Sequence, residues 1–427
     1  MGRTALDARP ATVILYSRVR VGFRPQQCLG GRMAPRMAPR ITPRPTAPTG
    51  SPARWTTLHE RFGPRRNNFD LIRLGLAATV GVAHGIVIRT GDQPTFGIST
   101  LGDYALDGFF ILSGFLVTRS WVTLNDFWRY AWHRFLRIMP AFWVCLLVLA
   151  FVVAPIALLL EGRPLSELFT SPDSGPRFVL VNAGLMIFTY GIASIFANNP
   201  EPLVVDGSLW TLILEAGCYV VLAVLGVLGL LRRRRWVVPA LAVTLWMMAT
   251  LYDLGVPVGI GDNTLRMLMM FMIGASFYLY AHRVPLNAWL ALAAAVVFLA
   301  SAGLLENYRM VGAVPLAYVL IYLAAGLPRN LRLKVDLSYG VYIYHYPLQQ
   351  LLMLTVLATL PTPVFVAVSL VLVIPLALAS WYGVERRALR RKNATLPRWL
   401  PGAHELAPGH GDRRDTDVDS RIAQGDR

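Results

Sequence analysis

From residue 70 to residue 385 the chain alternates between apolar runs of about twenty residues and short links carrying arginine, proline or asparagine. An α-helix rises ~1.5 Å per residue, so about 20 apolar residues cover the ~30 Å of hydrocarbon in a bilayer. The runs fall at 70–89, 104–119, 138–160, 178–196, 211–231, 236–254, 264–281, 287–305, 310–327, 338–360 and 364–385. Lipid offers no partner to a backbone N–H or C=O, so runs of this length predict helices and an all-α polytopic membrane protein.

The links reduce the number of crossings. With the arginine-rich N-terminus inside, the link 120–137, bearing Arg129, Arg134 and Arg137, also falls inside. Eleven crossings would then carry Arg232-Arg233-Arg234-Arg235 outside, against the bias of basic links toward the cytoplasm. Making 178–196 a re-entrant or interfacial segment returns that run to the cytoplasm, with the clusters Arg329/Arg332/Lys334 and Arg386/Arg387/Arg390/Arg391. The segment holds Asn182 and Gly191 and leads into Asn198-Asn199-Pro200-Glu201-Pro202, a sequence suited to irregular backbone buried in protein. The expected fold is therefore about ten transmembrane helices plus one re-entrant or interfacial segment, both termini cytoplasmic.

Residues 1–66 carry thirteen arginines against two acids without a sustained apolar period, which predicts a disordered cytoplasmic arm. The membrane domain spans 67–390, and 391–427, rich in Gly, Asp and Arg, is expected to be a second disordered cytoplasmic tail. The net charge of +17 would point to nucleic acid in a soluble protein, but most arginines flank apolar runs, so orientation in the bilayer accounts for it and no nucleic-acid partner is expected. The three cysteines, Cys28, Cys145 and Cys218, stand singly and build neither a disulfide framework nor a zinc site. No metal is expected.

Ionisable groups inside apolar runs are costly and mark candidate chemistry. Arg73 and His84 share the first run, eleven residues and thus about three turns apart, on one helix face roughly 16 Å from each other. A neutral imidazole can take a proton from a hydroxyl; a structural or interfacial histidine is the plain alternative. Arg73 alone is also explained by snorkelling. Arg134 and Arg137 share a face at i, i+3, and guanidinium forks suit phosphate oxygens, though orientation in the bilayer explains them equally. Glu215 and Tyr219 lie at i, i+4, and Ser338, Tyr342 and His345 form one polar face of an apolar helix. For Tyr342 and Ser338 hydrogen bonding between helices is the better reading; Glu215 and His345 lean to function. Glu385, beside Arg386, is most simply an ion-paired interfacial residue.

Together these positions resemble the membrane-bound acyltransferase family 3, which acylates sugars and other hydroxyl-bearing molecules. The similarity rests on Asn68-Phe-Asp-Leu-Ile-Arg73 with an Arg-x10-His spacing to His84, on Asp107-Gly-Phe-Phe-Ile-Leu-Ser113-Gly-Phe-Leu, and on Arg134-x-x-Arg137-Ile-x-Pro140. It continues through Gly207-Ser208-Leu-Trp210-Thr-Leu-x-x-Glu215 and Leu337-Ser338-Tyr339-Gly-Val-Tyr342-x-x-His345. Two departures are Cys218, where family members often carry an aromatic before Tyr219, and the absence of a proline after Glu385.

The resemblance implies a cytoplasmic acyl-CoA donor, acetyl-CoA first, whose phosphates meet Arg134, Arg137 and Arg73. It implies His84 as base or transient acyl carrier, with Glu215 beside it in the catalytic set, and an acceptor hydroxyl arriving from the outer side near Asp107 and Glu215. Acyl-CoA would be a substrate; no permanently bound cofactor is expected. The partners are the bilayer and a saccharide or glycoconjugate acceptor, and the site is a multi-pass protein of a bacterial inner membrane. The alternative is a transporter or channel using the same charges as a pathway, but the paired broken helices and inverted repeats of such proteins are not found in the sequence.

Overall fold

A computed structural model describes residues 56–62, 67–327, 333 and 335–393. Most of the arm 1–66, the basic link at Arg329, Arg332 and Lys334, and the tail from 394 onward lie outside the described residues. In chain order, besides the single turns Glu167–Thr170 and Leu230–Arg233, the α-helices are α1 (Leu58–Arg61), α2 (Phe69–Thr90), α3 (Leu101–Leu124), α4 (Phe127–Leu160), α5 (Gly175–Asn182), α6 (Thr211–Val227), α7 (Val237–Asp253), α8 (Asp262–Leu279), α9 (Ala288–Leu304), α10 (Arg309–Gly326), α11 (Ser338–Met353) and α12 (Thr362–Arg390). Strands β1 (Thr95–Phe96) and β2 (Ser99–Thr100) form a small antiparallel ribbon between α2 and α3. Among the described residues five helices, α2, α3, α4, α10 and α12, are long and apolar enough to cross a membrane. The apolar α6, α7 and α9 are shorter, with 17 residues each.

Local chemistry sets the helix ends. Thr100 and Asp103 close α3 reciprocally, the threonine hydroxyl accepting from Asp103 N–H at 3.1 Å and the carboxylate accepting from Thr100 N–H at 3.3 Å. Asp126 opens α4 by accepting from Arg129 N–H at 2.7 Å. Helices gain little from burying apolar surface against one another in lipid, so close approach of backbones matters. It is greatest between α3 and α8, where a Cβ on Gly114 would lie 1.9 Å from the Phe271 carbonyl oxygen and one on Gly274 would lie 1.9 Å from that of Ile111.

The segment 178–196 does not form a spanning helix. Helix α5 has eight residues, about 12 Å, and ends where buried Asn182 folds the chain back on itself. The Asn182 side-chain oxygen accepts from Phe188 N–H at 2.8 Å and Thr189 N–H at 3.3 Å, while its amide donates to the Thr189 carbonyl at 2.9 Å. The chain then runs irregularly to Trp210, with left-handed backbone at Leu185, Ala193, Ser194, Phe196 and Leu203. Protein groups supply the bonds such backbone needs: Arg163 donates to the Ala193 carbonyl at 2.6 Å, and Gln350 to those of Glu201 at 2.8 Å and Val204 at 2.9 Å.

Residues 56–62, expected to be part of a disordered arm, are docked. Leu58 is fully buried, its N–H donates to the Val284 carbonyl at 2.8 Å, and Phe62 packs edge-on against Phe115 at 5.0 Å between ring centres. Two apolar side chains that find a socket outweigh the polar composition around them. At the other end Arg391 and Lys392 also dock, their carbonyls facing Trp132 Nε1 at 3.3 Å and His133 Nε2 at 3.2 Å.

Candidate active site

Two polar groups stand about 16 Å apart along α2. At the outer group, His84 Nδ1 lies 2.8 Å from His345 Nε2 on α11, with the rings nearly parallel and their centres 5.1 Å apart. The far nitrogen of His345, Nδ1, lies 2.9 Å from the Val341 carbonyl oxygen. Tyr346 meets the His84 ring edge-on, and the irregular loop backs Tyr346: a Cβ at Gly207 would come within 2.7 Å of it. His345 is buried, whereas His84 is half-buried, and its Nε2 has no hydrogen-bond partner among the described residues.

At the inner group Arg73 from α2 and Arg137 from α4 converge on Asp336, at 3.4 Å and 2.9 Å. The sequence reading missed Asp336, which sits two residues before α11 and accepts from Ser338 N–H at 3.2 Å and Ser338 Oγ at 2.6 Å. Burial opposes its charge, but Arg137 and then Arg73 outweigh that and hold the carboxyl far below the usual carboxylate range. Arg134 points to the same end but has no carboxylate partner among the described residues. It lies 5.5 Å from the Tyr219 ring centre and donates weakly to Ser120 Oγ at 3.4 Å, and its Nε is buried without a partner. Lys392 faces this cluster; burial, then Arg134 and Arg137, push its ammonium down to about 8. Glu385, expected at an interface with Arg386, is buried instead and accepts from Ser380 Oγ at 2.9 Å, while Arg386 stacks over Tyr382.

A cavity lies between the two groups. Arg73, Ser113, Glu215, Ser338 and Tyr342 line it among Leu106, Phe109 and Leu212. Tyr342 stands between the cavity and the histidines: its ring is 6.2 Å from that of His345, and its hydroxyl donates to the Ser208 carbonyl at 3.1 Å and lies 2.6 Å from Thr211 Oγ1. Trp210 precedes α6 and packs against the core.

Two residues stand elsewhere than expected. Glu215 is not a partner of His84; it accepts from Ser113 Oγ at 3.1 Å and from the Tyr219 hydroxyl, inside the cavity that Arg73 lines. The reason is depth: the one-turn step from Thr211, level with Tyr342, carries Glu215 away from the histidines. Asp107 is not open to an acceptor but buried, held by Arg266 Nε and Arg309 Nε, both at 2.7 Å, and by the Tyr308 hydroxyl. Arg266, Arg309 and Tyr308 escaped the sequence reading; Arg266, a cation in the apolar run 264–281, was the available signal. Asp206, in the irregular loop, accepts from Ser208 N–H at 2.8 Å and Oγ at 2.6 Å, and burial raises its carboxyl to about 7. No group of three His, Cys, Asp or Glu that could hold a metal ion occurs among the described residues.

The chain is similar in sequence to known proteins. A family model described as an acyltransferase domain, that of the acyltransferase 3 family, matches residues 66–382. An O-acetyl transferase of Shigella phage Sf6 is 27% identical over 357 residues, covering 78% of this chain and 98% of the phage protein. Nodulation protein 10 of Rhizobium leguminosarum bv. viciae is 29% identical over 327 residues, covering 67% of this chain and 84% of that protein. No solved structure matches at a significant level.

Proposed function

We propose that this chain, which belongs to the acyltransferase 3 family, moves an acetyl or other short acyl group from cytoplasmic acyl-CoA to a hydroxyl of a saccharide or glycoconjugate. The observation that carries the reading is the disposition along α2: Arg73 opens the cavity at one end and His84 stands past Tyr342 at the other. The separation of roughly 16 Å suits an extended pantetheine arm, with donor phosphates at the arginines and the thioester near the imidazole. Arg73, Arg134 and Arg137 hold the phosphates, because guanidinium forks pair with phosphate oxygens and Arg134 is short of acceptors. His84, through Nε2, takes the proton of the attacking hydroxyl as its oxygen bonds to the thioester carbonyl, or carries the acyl group itself. Either way coenzyme A leaves as the thiol. The phage relative's name makes acetyl the first group to test.

In the bilayer we place ten crossings, α2, α3, α4 and α6 to α12, with both termini cytoplasmic and the loop 183–210 facing outward as the acceptor side. A bacterial inner membrane is the setting this implies. Membranes containing the protein, given labelled acetyl-CoA and an acceptor glycan, should form labelled product, and His84→Ala should form none while inserting normally. Product at the parent rate from His84→Ala would sink the role of His84. Topology is checked with an impermeant thiol reagent on Asn198→Cys and Arg234→Cys in a background lacking Cys28, Cys145 and Cys218. Both positions are exposed, and only Asn198→Cys should label from outside.

A further inference from the structure

The geometry assigns His345 as a positioning residue that fixes the tautomer of His84. The assignment rests on the proposed role of His84 and deepens it. A carbonyl oxygen only accepts, so the 2.9 Å contact between His345 Nδ1 and the Val341 carbonyl requires the proton of a neutral His345 to be on Nδ1. Its Nε2 then presents a lone pair, and that atom lies 2.8 Å from His84 Nδ1. His84 must therefore donate from Nδ1, which leaves the unprotonated nitrogen at Nε2, the atom with no hydrogen-bond partner among the described residues. Burial in an apolar site disfavours charge on either imidazole, and two this close cannot both carry it, so the neutral pair is the resting arrangement.

The chain of donors runs one way, from His84 through His345 to a backbone carbonyl held by α11. When His84 Nε2 accepts a proton from the acceptor hydroxyl, the imidazolium keeps its Nδ1–H on His345 Nε2, and the neighbouring lone pair stabilises the new charge. The hydroxyl oxygen keeps the electron pair with which it attacks the thioester. His345 thus has the orienting place that a carboxylate has in a serine-hydrolase triad, with a neutral group in a setting where a second charge would be costly. It touches neither donor nor acceptor.

Two substitutions separate orientation from mere packing. Glutamine reaches the position of ring Nε2 and presents an amide oxygen to His84 Nδ1–H; asparagine reaches only the position of Nδ1 and keeps the bond to Val341. His345→Gln should hold kcat within ~10-fold of the parent, whereas His345→Asn should lower kcat by ~10²-fold or more with KM for acetyl-CoA unchanged. Insertion and coenzyme A binding should match the parent in both. Equal loss in the two variants with donor binding intact overturns the assignment, as does near-parental kcat in His345→Asn. A variant that fails to insert is replaced by His345→Met, which presents no amide and should fall with asparagine; parental kcat there overturns the assignment. An active His84→Ala would instead remove the role of His84 on which this rests, so the two failures are told apart.

Discussion

Among the described residues two buried clusters of arginine and aspartate occur, and their charge balance differs. In the outer cluster Asp103 and Asp107 on α3 face Arg266 on α8 and Arg309 on α10, carboxylate for guanidinium, with contacts of 2.6 to 2.7 Å. In the inner cluster Arg73, Arg134, Arg137 and Lys392 gather about Asp336, with Glu385 nearby, so among the described residues cations outnumber carboxylates. A charge-balanced cluster ties helices together and offers little to a ligand. An unbalanced one costs free energy until an anion arrives, so cation excess marks the proposed donor end better than unpartnered nitrogens, which occur in both clusters at Arg309 Nη2 and Arg134 Nε, or the mere presence of intramembrane arginine.

The sharpest way to break this comparison is to remove one carboxylate from each cluster. Asp107→Ala leaves two buried guanidiniums without their shared partner and should cost about 3–5 kcal/mol, seen as lost inserted protein or a strongly lowered unfolding midpoint in detergent. Asp336→Asn also leaves two guanidiniums short of a carboxylate and should lower stability, but coenzyme A binding should be no weaker than in the parent, since the change removes a negative charge beside the proposed donor phosphates. Loss of coenzyme A binding in an inserted Asp336→Asn variant would show that the inner cluster is structural.

Arg137→Lys and Arg134→Lys come next in size. Each keeps its charge but loses the fork and should raise KM for acetyl-CoA by ~10-fold, with little change in stability. Parental KM in both would return these arginines to membrane orientation.

Lys392 supplies a pH test of smaller amplitude. Its ammonium, lowered to about 8, is charged below that value and neutral above it, so its attraction for donor phosphates is present at pH 7 and lost as pH rises through 8. KM for acetyl-CoA should climb a few-fold between about pH 7 and 9, and Lys392→Met should flatten that rise. An unchanged rise in the variant assigns it to another group. Smallest of all, a chain trimmed to residues 54–395 should insert and acylate like the full chain, because it keeps docked Leu58, Phe62 and Lys392. Starting at residue 63 instead should lower stability measurably, as Leu58 and Phe62 leave their socket.

The helical, membrane-embedded character of the chain was legible because apolar length is a local property: a run such as 70–89 needs no knowledge of its neighbours. The same holds for the candidates, since Arg73, His84, Glu215 and His345 stand out by being ionisable where ionisation is costly. The break at Asn182 was legible too, in a polar residue and an irregular Asn-Pro stretch. Docking of 56–62 was not: Leu58 and Phe62 look like isolated apolar residues until the surface that receives them exists.

Which polar groups meet was decided by tertiary structure alone. His84 and His345 are 261 positions apart, Arg137 and Asp336 199, and Arg309 and Asp107 202. Periodicity fixes the face of a helix that a residue occupies, but its partner depends on how each helix is rotated and how deep it sits. Those two quantities follow from close packing such as that of Gly114 and Gly274, and one-dimensional spacing carries neither. So the sequence could name an imidazole and an arginine on one face of α2, while only the packed bundle gave the imidazole its orienting partner and took Glu215 and Asp107 away from it.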